Sequence, residues 1–264
     1  RERRWAAPDE SNSVMGAAAA RDAAADAELG IKDFDLILCA AGTPEQSIPD
    51  NSALIHRELG LGQSGVASMS VNLTCLSFLA ALDLAASMLA LDRYRTILIV
   101  TSDITSVGLS LKDPASATLF GDAASAVAVT RTPVGEGSRL QEVRFETYGA
   151  AADLIEVRGG GSRCHPDNPA MSREDNLISL NGQRIYRMAR RYQDGFLDRL
   201  RKGLATSPGS ISLAILHQAS GHSLRALRRN GFRDEQIVVT LDRFGNCAAS
   251  SLPLTLHEAV LSGR

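Results

Sequence analysis

The stretch MSVNLTCLSFLAALDLAASML, residues 69–89, places Cys75 where an extended segment changes into a long apolar helix. A lone cysteine is most often a small, inert and buried hydrophobic side chain. At the start of a helix, however, free backbone N–H groups and the positive end of the helix dipole favour an anion. We therefore predict that Cys75 has a lowered pKa and acts as a nucleophile, which requires a polar partner group nearby.

Short apolar segments alternate with helical patterns on both sides of this stretch. An alanine-rich helix is predicted to be capped within 9–13 and to end near Gly30, and a second helix covers about 52–59. Apolar runs of strand length lie at 35–41, 65–72, 95–103 and 124–132. This alternation predicts an α/β fold in which a sheet is covered by helices on both faces.

The same order returns after a linker-like region rich in glycine and proline, at about 133–170. A long basic helix is predicted at 181–204, followed by strands at 212–219 and 236–246 with a short arginine-rich helix between them. We predict two halves, 1–132 and 133–264, although residue similarity is too weak to establish a repeat.

Three polar residues occupy comparable positions near the ends of these elements: Cys75, His217 and Asn246. Ligands of open α/β sheets bind beyond the carboxyl ends of the strands. We therefore expect the three side chains to form one site.

Composition and spacing exclude several classes of protein. The chain has 264 residues, is 44% hydrophobic and carries a net charge of −2, so no global field attracts nucleic acid or an anionic membrane. Asp83, Ser87 and Asp92 interrupt the longest apolar run, and the N-terminus has no signal-peptide core. Four cysteines are too few for a disulfide framework, so a soluble cytoplasmic protein is predicted. His222 follows His217 by five positions, which is not a zinc spacing, and no metal is expected.

Five segments occur in the order seen in a known family: RERRWAAPDE, VNLTCLSFLAAL, LFGDAASAVAV, ILHQAS and VVTLDRFGNCAASSLPLTLHEAV. The sequence thereby resembles the β-ketoacyl-acyl carrier protein synthase III enzymes of the thiolase superfamily. The resemblance implies a thiolase-like α/β fold with two similar halves and central mixed sheets, a homodimer, and a Cys-His-Asn triad at Cys75, His217 and Asn246. Members transfer an acyl group from coenzyme A or acyl carrier protein to the cysteine. They then condense it with a decarboxylating malonyl thioester, in fatty acid or polyketide-like biosynthesis, with no cofactor besides these thioesters.

Decarboxylation leaves an enolate, which two neutral donors could stabilise, and we assign this role to His217 and Asn246. An amide cannot act as a base, although Cys247 leaves a thiolase-like proton abstraction open. Acyl transfer to an oxygen or nitrogen nucleophile also remains open, as does a non-catalytic subunit of a synthase heterodimer. The intact triad speaks against the latter.

Two further assignments follow from the resemblance. Arg225, Arg228 and Arg229 form a basic helix that either docks an acidic carrier protein or is a solvated helix face. Ile48 stands where relatives often have an aromatic residue that reaches into the partner subunit's acyl tunnel, so we expect longer or branched acyl groups to fit.

The resemblance also makes a prediction about the ends of the chain. Relatives have a strand before the RER motif and two strands around a glycine-rich turn after residue 264. We therefore expect this chain to be a fragment with unpaired sheet edges and poor condensation activity.

Overall fold

The computed structural model describes residues 2–209 and 211–264. The helices in these ranges are α1 Asn12–Asp26, α2 Asn51–Glu58, α3 Ser77–Ala90, α4 Pro114–Ala117, α5 Gly182–Leu200, α6 Gly221–Ala226 and α7 Ser251–Leu261. The strands are β1 Leu36–Cys39, β2 Ala67–Ser70, β3 Thr96–Asp103, β4 Ala123–Thr130, β5 Ile155–Glu156 and β6 Ser179–Leu180. Each of the four strands predicted in the first half is present, and Ser11 caps α1 by accepting a hydrogen bond from the backbone N–H of Val14.

The central sheet has the strand order β2-β1-β3-β4. β1 is parallel to β2 and β3, whereas β4 runs antiparallel to β3, with Asp103 opposite Ala123. The carboxyl ends of the three parallel strands therefore lie at one edge of the sheet. The segments that carry Cys75 and Asp103 both leave the sheet at this edge.

Helices cover both faces of the central sheet, as predicted. Alternate residues of β1 and β3, such as Ile37 and Leu98, pack with α1 and α2 in one hydrophobic core. The neighbouring residues, such as Leu36 and Ile99, pack with α3 and with Leu252 of α7 in a second core. The last helix thus packs on the sheet of the first half, beside the helix that follows Cys75. Within 2–209 and 211–264, no helix is long and apolar enough to cross a membrane.

The strands predicted at 212–219 and 236–246 do not form, and this prediction is wrong. The two segments share a single parallel bridge between Ala214 and Ile237. Beyond it, the side-chain oxygen of Gln218 accepts hydrogen bonds from the backbone N–H groups of Thr240 (3.0 Å) and Leu241 (3.1 Å). A side chain thus replaces the backbone partners that a longer ladder would need.

The connecting region adds a feature that the sequence did not predict, a two-stranded antiparallel sheet of β5 and β6. The long basic helix is present as α5, and Asn181 caps it by accepting from the backbone N–H of Arg184 (3.2 Å). The boundary between the halves at residues 132 and 133 stays a prediction.

Candidate active site

Cys75 lies in a tight turn between β2 and α3. The turn is a 3₁₀ helix over Thr74–Leu76, and Thr74 has a φ of 54°. The side-chain oxygen of Asn72 accepts from the backbone N–H of Thr74 (2.8 Å). The hydroxyl of Ser77 accepts from the backbone N–H of Leu73 (2.9 Å) and donates to the carbonyl of Thr74 (2.7 Å). These bonds fix a left-handed residue directly before the cysteine, a conformation that costs a non-glycine residue about 1 kcal/mol or more.

The predicted lowering of the Cys75 pKa is wrong. Burial raises the pKa of Cys75 to about 11, because the thiolate loses hydration, and the nearby carboxylate of Asp103 adds to this effect. The backbone N–H of Cys75 favours the thiolate and has a smaller effect. In the resting protein Cys75 is therefore a half-buried thiol, and any attack by its sulfur must be coupled to loss of the proton.

Asn246 is buried, and its backbone is held by the segment before β4. Its N–H donates to the carbonyl of Leu119 (2.9 Å) and its carbonyl accepts from the N–H of Gly121 (3.1 Å). A Cβ at position 121 would lie 2.2 Å from the carbonyl oxygen of Phe244, so only glycine allows this approach. The side-chain oxygen of Asn246 accepts from the N–H of Ala248 (3.0 Å). This bond orients the amide and leaves its NH₂ group to donate.

His217 follows a segment that packs against the core between α3 and α7, through Ile215. Burial lowers the pKa of His217 to about 4, so the imidazole is neutral near pH 7. Its Nδ1 atom is buried without a hydrogen-bond partner among the described residues. The fully buried Gln218 donates to the carbonyls of Leu216 (2.9 Å) and Val238 (3.3 Å), which fixes the backbone on either side of the histidine.

The structure brings the segments of the three predicted residues to one region. The turn Thr74–Leu76 contacts a second turn, Ala248–Ser250, which begins two residues after Asn246. Ile215, two residues before His217, belongs to the same core as Phe78 of α3. The turn that holds Cys75 and the turn that follows Asn246 therefore meet near the carboxyl edge of the sheet, and the segment before His217 packs on the face covered by α3 and α7.

The remaining predicted residues lie outside this region or have other partners. Arg225, Arg228 and Arg229 are exposed on α6 and the turn after it, and Arg228 donates to Asp234 (2.8 Å). Ile48 is 85% exposed in the single chain, so its role at a partner subunit stays a prediction.

Two observations bear on alternatives raised by the sequence. Cys247 is fully buried, and burial raises its pKa to about 12, so almost no thiolate is present near pH 7 to accept a proton. No cluster of three histidine, cysteine, aspartate or glutamate side chains suited to a metal occurs in the described ranges.

Sequence reasoning missed that the two turns repeat each other. In the second turn, Cys247 donates through its N–H to the hydroxyl of Ser251 (2.9 Å), as Leu73 does to Ser77, and Ala248 has a φ of 46°. The available signal was an asparagine followed five positions later by a serine that is the first residue of an apolar helix. It also missed Asp103, a fully buried carboxylate at the end of β3.

A mixed α/β sheet with a cysteine in a turn at its carboxyl edge, packed against the turn that follows a buried asparagine, is typical of thiolase-fold acyltransferases. Family models describe 3-oxoacyl-(acyl-carrier-protein) synthase III over residues 69–149 and the C-terminal part of that enzyme over 202–264. The chain is 31% identical over 265 residues to a β-ketoacyl-(acyl-carrier-protein) synthase III of Symbiobacterium thermophilum, covering 100% of this chain and 79% of the relative. It is 32% identical over 265 residues to synthase III 2 of Deinococcus radiodurans, covering 100% and 76%.

The fold agrees with these relatives. The crystal structure of 3-oxoacyl-(acyl-carrier-protein) synthase III from Aquifex aeolicus superposes with a TM-score of 0.85 at 28% identity, over 100% of this chain and 79% of that one. The chain belongs to the 3-oxoacyl-(acyl-carrier-protein) synthase III family, and it is an acyltransferase of that type.

Proposed function

We propose that this protein forms a carbon–carbon bond between an acyl group carried on Cys75 and a malonyl thioester that loses CO₂. One observation carries the proposal: the turn that holds Cys75 packs against the turn that directly follows Asn246. Family membership supports the reaction class, and the neutral His217 supports the way in which charge is stabilised.

In the first half-reaction the sulfur of Cys75 attacks the carbonyl carbon of an acyl thioester. The new C–S bond forms as the old one breaks, and the proton of Cys75 ends on the departing thiol. Because the pKa of Cys75 is about 11, little thiolate exists at pH 7, so the proton must leave as the attack proceeds. The backbone N–H of Cys75 favours the charge on the sulfur.

In the second half-reaction the malonyl thioester releases CO₂, and the electron pair of the broken bond forms an enolate. Neutral His217 and the NH₂ group of Asn246 would donate hydrogen bonds to the enolate oxygen. A pKa of about 4 keeps the imidazole uncharged, and the bond from Ala248 keeps the amide oriented. The enolate carbon then attacks the acyl carbon as the C–S bond to Cys75 breaks, and the departing thiolate takes up a proton from solvent to restore the thiol.

The substrates follow from this chemistry and from the family. An acyl-coenzyme A or acyl carrier protein supplies the first group, and malonyl carrier protein or malonyl-coenzyme A the second, with no further cofactor. An acidic carrier protein would meet Arg225 and Arg229, since Arg228 is already paired with Asp234. We also propose a homodimer, in which Ile48 would face the partner's acyl tunnel.

Mass spectrometry of the protein after incubation with a panel of acyl-coenzyme A esters tests the first half-reaction. We expect one acyl group on the Cys75 peptide and none on Cys75→Ala. A label on Cys39, Cys164 or Cys247 would refute the assignment.

Release of CO₂ from labelled malonyl thioester tests the second half-reaction. Asn246→Ala should leave acylation largely intact and slow decarboxylation by roughly 10²-fold, the usual effect of losing one oxyanion donor. Equal loss of both half-reactions would contradict the assigned role.

A further inference from the structure

The turns before α3 and α7 have the same hydrogen-bond pattern, so their residues correspond one to one. Asn246 accepts from Ala248 (3.0 Å) as Asn72 accepts from Thr74 (2.8 Å). With the two left-handed residues aligned, Ala249 occupies the position of Cys75. The second turn therefore has a methyl group where the first has the thiol.

A carboxylate of the protein itself, that of Asp103, occupies the anion-binding position of the second turn. The Oδ2 atom of Asp103 accepts from the backbone N–H groups of Ala249 (3.0 Å) and Ser250 (3.3 Å). These donors lie at the positive end of α7, which favours the carboxylate. Asp103 is 0% exposed, so water does not compete for these bonds.

The other oxygen of the same carboxylate binds the loop that supports Cys75. Oδ1 of Asp103 accepts from the N–H groups of Gly42 (2.8 Å) and Thr43 (2.8 Å) and from the Thr43 hydroxyl (3.0 Å). A Cβ at Gly42 would lie 3.3 Å from the carbonyl carbon of Thr74, so this loop is packed against the Cys75 turn. One side chain thus holds the supports of Cys75 and of Asn246 together.

We propose that Asp103 is a positioning residue for condensation, which holds the turn following Asn246 against the loop that supports Cys75. This inference rests on the proposed function, since it assigns Asp103 to the decarboxylation half-reaction. The same carboxylate disfavours the acylation half-reaction, because it disfavours the thiolate of Cys75. Among the described residues, Asp103 is the charged group that adds to burial in raising the pKa of Cys75, while His217 stays neutral.

The two effects predict opposite results for the substitution Asp103→Asn. The amide removes the charge, so more thiolate forms, and iodoacetamide should alkylate Cys75 about twofold faster or more at pH 8. The amide also turns an NH₂ group toward one pair of N–H donors, which loosens one of the two turns. We therefore expect kcat for malonyl decarboxylation to fall roughly 10²-fold, with KM for the malonyl thioester little changed.

Asp122→Asn is the matched control, because Asp122 is also a buried aspartate at the carboxyl edge of the sheet. It accepts from backbone N–H groups of Ala6, Thr105 and Ser106, and not from either turn. The control should lose stability without faster alkylation of Cys75. If Asp103→Asn changes the rates of Cys75 alkylation and malonyl decarboxylation in the same direction, or changes neither, the inference is wrong.

A second variant keeps the test decisive if Asp103→Asn does not fold. Thr43→Val removes one of the hydrogen bonds to Oδ1, and decarboxylation should slow about threefold to tenfold with alkylation unchanged. An unchanged decarboxylation rate would overturn the inference. Failure of the proposed function gives a different result, since wild-type protein would then neither take up an acyl group on Cys75 nor release CO₂.

Discussion

Replacing His217 with glutamine should change how the stability of the protein depends on pH. The pKa of His217 is about 4 in the folded protein, because burial disfavours the imidazolium, against 6.5 when the chain is unfolded. The unfolded state therefore binds a proton first as the pH falls. The contribution of neutral His217 to the free energy of unfolding is therefore fully present above pH 6.5 and is lost as the pH falls toward 4.

The magnitude follows from the two pKa values. They differ by about 2.5 pH units, so protonation of His217 in the unfolded state lowers the free energy of unfolding by about 3 kcal/mol on going from pH 7 to pH 4. The substitution His217→Gln abolishes this loss. Asp103 acts in the opposite sense, since burial raises its pKa to about 6 from 3.8. The folded protein keeps that proton longer, so the stability from Asp103 falls as the pH rises from about 4 to 6.

Urea unfolding at pH 7, 6, 5 and 4 measures this dependence. The free energy of unfolding of His217→Gln should gain about 3 kcal/mol relative to wild type on going from pH 7 to pH 4. His257→Gln, at an exposed position of α7, controls for loss of a histidine from the surface. Parallel curves for wild type and His217→Gln would refute a buried neutral imidazole, and with it the assigned donor role.

Three other substitutions or reactions test the site. Gly121→Ala would place a Cβ 2.2 Å from the carbonyl oxygen of Phe244 and displace Asn246, so decarboxylation should slow about tenfold or more. Gly137→Ala is the control, because a Cβ at Gly137 faces open space and the decarboxylation rate should not change. Asn72→Ala removes the hydrogen bond from the N–H of Thr74 that holds the Cys75 turn, so acylation should slow more than decarboxylation when the two half-reactions are measured separately. A larger effect on decarboxylation would contradict the role of this turn in positioning Cys75. Because the pKa of Cys75 is about 11, its alkylation by iodoacetamide should rise about tenfold per pH unit from 7 to 10, and a plateau near pH 8 would exclude this value.

The first half of the fold was predictable because its signals are local. Each strand of the central sheet is a short apolar run, and burial on both faces requires every residue of β1 to be apolar, which the sequence LILC shows directly. The second half was less predictable because an apolar run forms a strand only where a backbone partner continues. The side chain of Gln218 accepts hydrogen bonds from the N–H groups of Thr240 and Leu241 and so ends the ladder. The sequence of the segment 212–219 does not indicate this role of Gln218.

The position of Cys75 was predictable, whereas its pKa was not. The rule that a helix start stabilises a thiolate uses only the residues next to the cysteine. The opposing effects come from burial and from Asp103, which is distant in the sequence and reaches the site because β3 lies beside β1 in the sheet. A pKa depends on the charge and solvent around a group in three dimensions, so a local rule gave the wrong direction.

The repeated turn explains how one sheet can support both Cys75 and Asn246 in turns of the same geometry. Both turns place backbone N–H groups at the start of a helix, where an anion is stabilised. In the second turn the carboxylate of Asp103 accepts hydrogen bonds from these N–H groups and so holds the turn that follows Asn246. In the first turn Cys75 stands where the second turn has Ala249, and in the proposed function its sulfur would bear negative charge during acyl transfer. The same local geometry therefore serves structure at α7 and, in the proposed function, chemistry at α3, and the carboxylate of Asp103 that stabilises the turn before α7 raises the pKa of Cys75.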